Sequence, residues 1–361
     1  MRSPPTEKVM DAEQTGASAG PTPVPGGSPR ARVYPTLGPE LLRDLRAGGY
    51  RKVVLQTPAG LVRDASTLSS QLREGTGLAV LTLVRACFGA CDPPSPEEAP
   101  GAEAIVTLGH APIPNMPLRL PTFFVEMRQE GRPADELAAE LQRSSLPRRL
   151  GLVGSIQHMD LLPPLARELE ARGFSPRIGR GGPRLAYAGQ ALGCNYTGAE
   201  QVLPAVDGYL FLGTGRFHPL GLAYAVDRPV WALDPLSGVL SEPLDREGMI
   251  RRRLLTIAQV TGARRWGILA SSFDGQNRQG MAFALKARAE ARGREADILV
   301  FDRLDPRDLV GRALEAYVSV ACPRIALDDG EQFPRPILTP PEFLAALGDR
   351  PLLPYRFDTY P

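Results

Sequence analysis

The chain is poor in cysteine, histidine and lysine. Its 361 residues include 4 Cys and 3 His, and lysine occurs only at Lys8, Lys52 and Lys286. So few thiols do not make a disulfide framework, and a chain of this length buries a core without staples. The close C-x-x-C pairs of a zinc finger are missing as well. The lack of lysine beside abundant arginine reads as coding bias, because the two part company mainly at bidentate or stacked sites. No apolar run approaches the ~20 residues that span a bilayer, and the N-terminus lacks a basic-then-apolar signal pattern. No membrane partner is expected, and the reading is a soluble cytoplasmic protein whose reducing milieu keeps its thiols free. A net charge of +2 creates no strong field, so no nucleic-acid partner is expected either.

What is present is ordinary globular material, 43% apolar and 23% charged. Residues 1–30 are the exception. They are rich in Pro, Gly, Ser, Thr and Ala with few large apolar side chains, and such a segment cannot offset its ordering entropy, so a disordered tail is expected.

Beyond the tail one layout occurs three times. Each copy opens on an apolar strand: Lys52-Val-Val-Leu-Gln56, Leu150-Gly-Leu-Val-Gly154 and Trp266-Gly-Ile-Leu-Ala270. A turn and a helix-period stretch follow, around residues 61–72, 158–172 and 277–292. A second strand is legible at 78–84 and 297–301. Third strands open on Ala102-Glu-Ala-Ile, Val206-Asp-Gly-Tyr and Leu314-Glu-Ala-Tyr, and fourth strands follow Pro121, Arg228-Pro and Arg335-Pro. Continuous apolar runs alternating with helical stretches describe parallel strands buried on both faces. The expected fold is α/β: three similar small parallel-sheet domains, 31–145, 146–245 and 246–361, in pseudo-threefold arrangement around a shared centre.

Cys91 and Cys194 fall between the second and third strands of their copies, and Cys322 directly follows the third strand of its own. Scattered cysteines packed in a core are one reading. One cysteine per domain, each in a loop where parallel sheets place ligands, favours the other: a shared site of three thiolates. Three thiolates without a nearby fourth suit a [4Fe–4S] cluster with one iron open. A zinc ion completed by His110 or His218 is the alternative.

The motifs around these cysteines carry a resemblance. Gln56-Thr-Pro-Ala-Gly-Leu61, Phe88-Gly-Ala-Cys-Asp92, Gly109-His110, Ile156-Gln-His158, Gly189-Gln-Ala-Leu-Gly-Cys194, Gly213-Thr-Gly-Arg-Phe-His-Pro-Leu220, Asp234-Pro235, Gly275-Gln276 and Ala321-Cys-Pro-Arg-Ile-Ala-Leu-Asp-Asp329 resemble the diphthamide synthase iron–sulfur family. The likeness runs from about 50 to 342. It departs at Ala59, where the family usually has an acidic residue, and at Thr107-Leu108, where it has a His–aromatic pair. The resemblance implies transfer of the 3-amino-3-carboxypropyl group of S-adenosylmethionine to imidazole C2 of one histidine in elongation factor 2. The implied mechanism is an unusual radical reaction in which methylthioadenosine leaves. It also implies a reducing electron donor and, for the archaeal type, a homodimer.

The remaining motif residues are weighed against ordinary structural roles. Cys87, one short loop from Cys91, reads as a packed spectator thiol. His110 and His218 are candidates for substrate or catalytic contact, with hydrogen-bonded structural roles as the alternative for them and for His158. Gln56 and Gln276 hold equivalent places in copies one and three and read as amide hydrogen-bonders at the central site. The Gly213-x-Gly215 turn reads as a close backbone approach to the cofactor. Arg251-Arg-Arg253 reads as a solvated helix face, with docking of an acidic partner as the alternative. Two other functions share parts of this design. Quinolinate synthase also gathers one cysteine from each of three domains on a [4Fe–4S] cluster, there a Lewis acid, and a scaffold subunit would need no complete cysteine set.

Overall fold

The structure, a computed structural model, describes residues 36–360; the expected disordered tail, 1–30, lies outside the described residues. The described chain contains three four-stranded parallel sheets of one design. The first comprises β1 (Lys52–Gln56), β2 (Ala79–Thr82), β3 (Ala104–Leu108) and β4 (Thr122–Val125) in the order β2-β1-β3-β4. The second comprises β5 (Arg149–Gly154), β6 (Ser175–Arg177), β7 (Gly208–Leu212) and β8 (Val230–Leu233) in the order β6-β5-β7-β8. The third comprises β9 (Arg265–Ser271), β10 (Glu295–Phe301), β11 (Ala316–Ser319) and β12 (Ile337–Leu338) in the order β10-β9-β11-β12. The expected α/β fold of three similar parallel-sheet domains is therefore found.

The repeat extends to the connections. After each opening strand a short 3-10 segment, 59–64, 156–161 or 274–276, leads into a helix. The helices of the first sheet are α1 (Pro39–Ala47) and α2 (Ala65–Thr76), followed by α3 (Ala134–Gln142). Those around the second are α4 (Leu162–Ala171), α5 (Thr197–Val202) and α6 (Phe217–Ala225). Around the third are α7 (Arg246–Val260), α8 (Gln279–Ala291), α9 (Pro323–Leu327) and α10 (Pro340–Ala346). Every residue of β3, β7 and β11 is buried, as parallel strands covered on both faces must be.

Two helices pack beyond the sheet they follow. Leu137, Ala138 and Leu141 of α3 join the core built on Leu150, Leu152, Leu210 and Leu212. On α7, Met249 and Ile250 enter the second sheet's core, whereas Ile257 and Val260 enter the third's. The basic triplet on this helix is not a uniform solvated face. Arg251 and Arg252 are exposed, but Arg253 is buried and forms a bidentate pair with buried Glu342 at 2.8 and 2.7 Å. It also donates to the carbonyls of Ala326 and Ile337. A guanidinium with this many acceptors is a clamp between α7 and α10. Among the described residues no helix is long and apolar enough to cross a membrane.

Candidate functional site

The loops beyond the strands' carboxyl ends meet pairwise across all three sheets. From the second sheet to the first, Gln157 donates to the Gly109 carbonyl at 2.8 Å. From the second to the third, Arg184 donates to the Gly275 carbonyl at 2.7 Å, and Arg324 of the third returns a bond to the Phe217 carbonyl at 2.8 Å. Between third and first, Arg303 reaches the Asp92 carboxylate at 3.3 Å. The expected convergence on a shared junction is thus visible in bonds between loops.

Cys91 lies in the turn after β2. Its neighbour Asp92 is fully buried and accepts from Arg85 at 3.0 Å and from the Phe88 amide at 3.1 Å. Gln56, at the end of β1, donates to the Asp92 carbonyl, so this amide braces the cysteine turn from below. The third sheet covers the same turn. Gln276 Nε2 lies 3.4 Å from Cys91 Sγ, and a Cβ at Gly275 would sit 2.3 Å from the Cys91 carbonyl oxygen. Only glycine permits that approach.

Cys194 sits at the tip of a tight turn closed by reciprocal bonds between Leu192 and Asn195 at 3.1 and 3.0 Å. Cys322 follows β11 and caps α9, where Pro323 starts the helix. The thiols of Cys91, Cys194 and Cys322 sense one another. Desolvation pushes the Cys91 thiol up to about 11, and Cys194 adds to the rise. Desolvation likewise raises Cys322, helped by Cys194 and Cys91. Cys194 is raised by desolvation too, while the Arg184 and Arg278 guanidiniums pull the other way. Like charges raise one another's pKa only at short range.

These groups fit an iron–sulfur cluster better than a single ion. Among the described residues no group of three or more His, Cys, Asp and Glu side chains could hold a metal ion. One thiol from each sheet, each within electrostatic reach of the others, suits the cysteine ligation of a [4Fe–4S] cluster.

The other candidates divide. His110 and His218 lie close enough for the charge of His110 to depress His218. Burial pushes each down to about 4, so both are neutral imidazoles at pH 7. His110 Nδ1 faces Cys87 Sγ at 3.9 Å, and His218 stacks on Phe211 with centroids 6.0 Å apart. Gly213 closes β7 beside Ser155 and Phe211, and Gly215, at φ 78, makes the exposed turn before α6. Cys87 is buried, and desolvation and then Asp92 push its thiol up to about 12. His158 is buried in the kink after β5, with Nδ1 unpartnered.

Sequence reasoning missed Arg184, Arg278, Arg303 and Tyr360. Asp92 and Arg324 were at least inside the quoted motifs. The missed four carry no local signature, because arginine is everywhere in this chain and their partners are distant in sequence.

Comparison with known proteins agrees with this geometry. Residues 57–355 match the family model for diphthamide synthesis proteins. The chain is 36% identical over 321 residues to the 2-(3-amino-3-carboxypropyl)histidine synthase of Pyrococcus horikoshii, covering 88% of this chain and 92% of that one. It is 31% identical to subunit 1 of the same-named enzyme of Aspergillus fumigatus, covering 86% and 71%. The crystal structure of Dph2 from Pyrococcus horikoshii with a 4Fe-4S cluster superposes with a TM-score of 0.80 at 36% identity, over 88% of this chain and 92% of that chain. The chain belongs to the diphthamide synthesis protein family.

Proposed function

We propose that the chain is a 2-(3-amino-3-carboxypropyl)histidine synthase, acting on S-adenosylmethionine and one histidine of elongation factor 2 in the first step of diphthamide biosynthesis. The observation that carries this reading is the trio of mutually interacting thiols, one from each sheet, in a chain 36% identical to such a synthase over 88% of its length. Cys91, Cys194 and Cys322 would hold a [4Fe–4S] cluster, which when bound supplies a low-potential electron and one open coordination position. The division near 145 and 245 gives each of the three domains one of these ligands.

The chain's own residues do the rest. Gln276 holds the Cys91 sulfur, and Arg184 and Arg278 offset thiolate charge beside Cys194. Gln56 fixes the Cys91 turn, while the Gly213–Gly215 turn leaves backbone unshielded where a ligand can approach. His110 and His218, being neutral, place no positive charge against a sulfonium. In the proposed reaction the bond from sulfonium sulfur to the aminocarboxypropyl carbon breaks and methylthioadenosine leaves. The aminocarboxypropyl radical adds at imidazole C2, and the adduct then loses one proton and one electron, the electron balancing the one supplied, so the net change is substitution of the C2–H. Selection among three carbon–sulfur bonds rests on how these loops orient one molecule. We place the enzyme in the cytoplasm as a homodimer served by a reducing electron donor.

Anaerobic incubation of the iron-loaded, dithionite-reduced protein with S-adenosylmethionine and elongation factor 2 tests the proposal. Methylthioadenosine and an aminocarboxypropyl adduct on one histidine are expected. Release of 5′-deoxyadenosine as the main product would overturn it.

A further inference from the structure

The family match ends at residue 355, yet the next five residues run back into the cysteine junction. Phe357 packs edge-on against Tyr196 with centroids 5.5 Å apart. Asp358, 5% exposed, accepts from Arg278 at 2.9 and 2.6 Å. The amide of Tyr360 donates to the Cys194 carbonyl at 2.8 Å, and its own carbonyl accepts from Asn195 Nδ2 at 2.8 Å. The tail is thus tied to the cysteine turn by one main-chain bond and one side-chain bond.

The Tyr360 ring then joins what the main chain leaves apart. It carries the Arg184 guanidinium at 4.1 Å and the Arg278 guanidinium at 4.6 Å from its centroid. Arg184 also bonds Gly275, the residue before the Gln276 that holds Cys91. Arg278 bonds the carbonyls of Val320 and Ala321, immediately before Cys322, at 2.6 and 3.0 Å. One aromatic ring therefore touches the two arginines that fix the Cys91 and Cys322 loops, while its backbone fixes the Cys194 turn. A merely packed tail would need none of these polar connections.

We propose that Tyr360 is a positioning residue for the three-cysteine site, and that segment 356–360 is a strap clamped by the Asp358–Arg278 pair and sealed by the Tyr360 ring. The inference rests on the three-thiol reading of the site, but not on its chemistry. Removing the ring frees both guanidiniums and lets the turns carrying Cys91, Cys194 and Cys322 open, whereas removing only the hydroxyl leaves the stacking intact.

The test uses Tyr360→Ala, Tyr360→Phe and Asp358→Asn in the full chain. In the iron-free protein, alkylation by iodoacetamide is followed thiol by thiol with mass spectrometry. Tyr360→Ala is expected to label Cys91, Cys194 and Cys322 about tenfold faster than wild type, Asp358→Asn to do so most at Cys322, and Tyr360→Phe to stay within about twofold. Cys87, braced by the first sheet alone, keeps its rate. In the iron-loaded protein, Tyr360→Ala loses iron to a ferrous chelator about tenfold faster while Tyr360→Phe does not. Unchanged labelling in Tyr360→Ala would overturn the proposal. So would equal acceleration at Cys87, since the residue would then hold the whole fold and not this junction. A wild-type chain that takes up no iron would sink the cluster reading and leave the labelling result to judge the strap alone.

Discussion

Three thiols raised by desolvation and by one another are poor company unless something positive joins them. Taken alone the site resists forming even one thiolate, since Cys91 stands at about 11 and two guanidiniums only partly offset the Cys194 charge. A metal core removes the conflict by taking all three protons' places. Single changes Cys91→Ala, Cys194→Ala and Cys322→Ala are therefore expected to lower product formation at least a hundredfold, whereas Cys87→Ala stays within about twofold. Iron analysis and product assay on the four variants check this, and equal loss in all four would show that Cys87 belongs to the set. The three cysteines were legible because each sits in a short distinctive motif at a loop position. Arg184 and Tyr360 were not, because what makes them part of the site is contact with loops far away in sequence, and a lone tyrosine or arginine carries no pattern. Gln56 donates its amide to the Asp92 carbonyl, a partner that no local pattern names.

Among the elements, the strand–3-10–helix unit was readable wherever apolar runs were continuous. β6 escaped because Ser-Pro-Arg is short, holds one apolar residue and starts at an edge where proline is tolerated. β12 shrank to two residues behind Pro336. The Arg251–Arg253 triplet was misread because a helix face shows its polarity in sequence but not its partners. Arg253 is 7% and Glu342 2% exposed, and Tyr355 and the Thr339 amide also bond the Glu342 carboxylate at 2.9 and 2.8 Å. Breaking a buried pair leaves a charge without compensation, typically about 3–5 kcal/mol. Arg253→Met alone is expected to cost that much in urea unfolding, and Arg253→Met with Glu342→Leu is expected to regain most of it, because both charges are then gone. A double variant no more stable than the single one would show that the clamp's worth lies in packing and in the carbonyls of Ala326 and Ile337 instead.

The described residues form three similar sheets, each with a core of its own, joined by polar bonds between their loops. Helix α7 bridges the second and third sheets, and the third sheet meets the first through loops: Gln276 at Cys91, Arg303 at Asp92 and Arg119 at Asp274. The Arg119–Asp274 pair is exposed and contributes little, about 0–1 kcal/mol, whereas Arg303 closes on an Asp92 that is fully buried. A group bound by one ligand from each sheet crosses all three seams at once. Because it binds the folded chain and not the unfolded one, its binding free energy adds to stability. Anaerobic iron loading is thus expected to raise the Tm by about 5 °C or more, given that about 1 kcal/mol moves a chain of this size by roughly 2 °C. Cys194→Ala is expected to abolish the gain while leaving the iron-free protein within about 2 °C of wild type, since the turn is partly exposed and closed by its own backbone bonds. Scanning calorimetry on the four samples decides the point. The same rise in wild type and Cys194→Ala would mean that the iron stabilises the chain from some other place, and the seam would have to be held by its side-chain contacts alone.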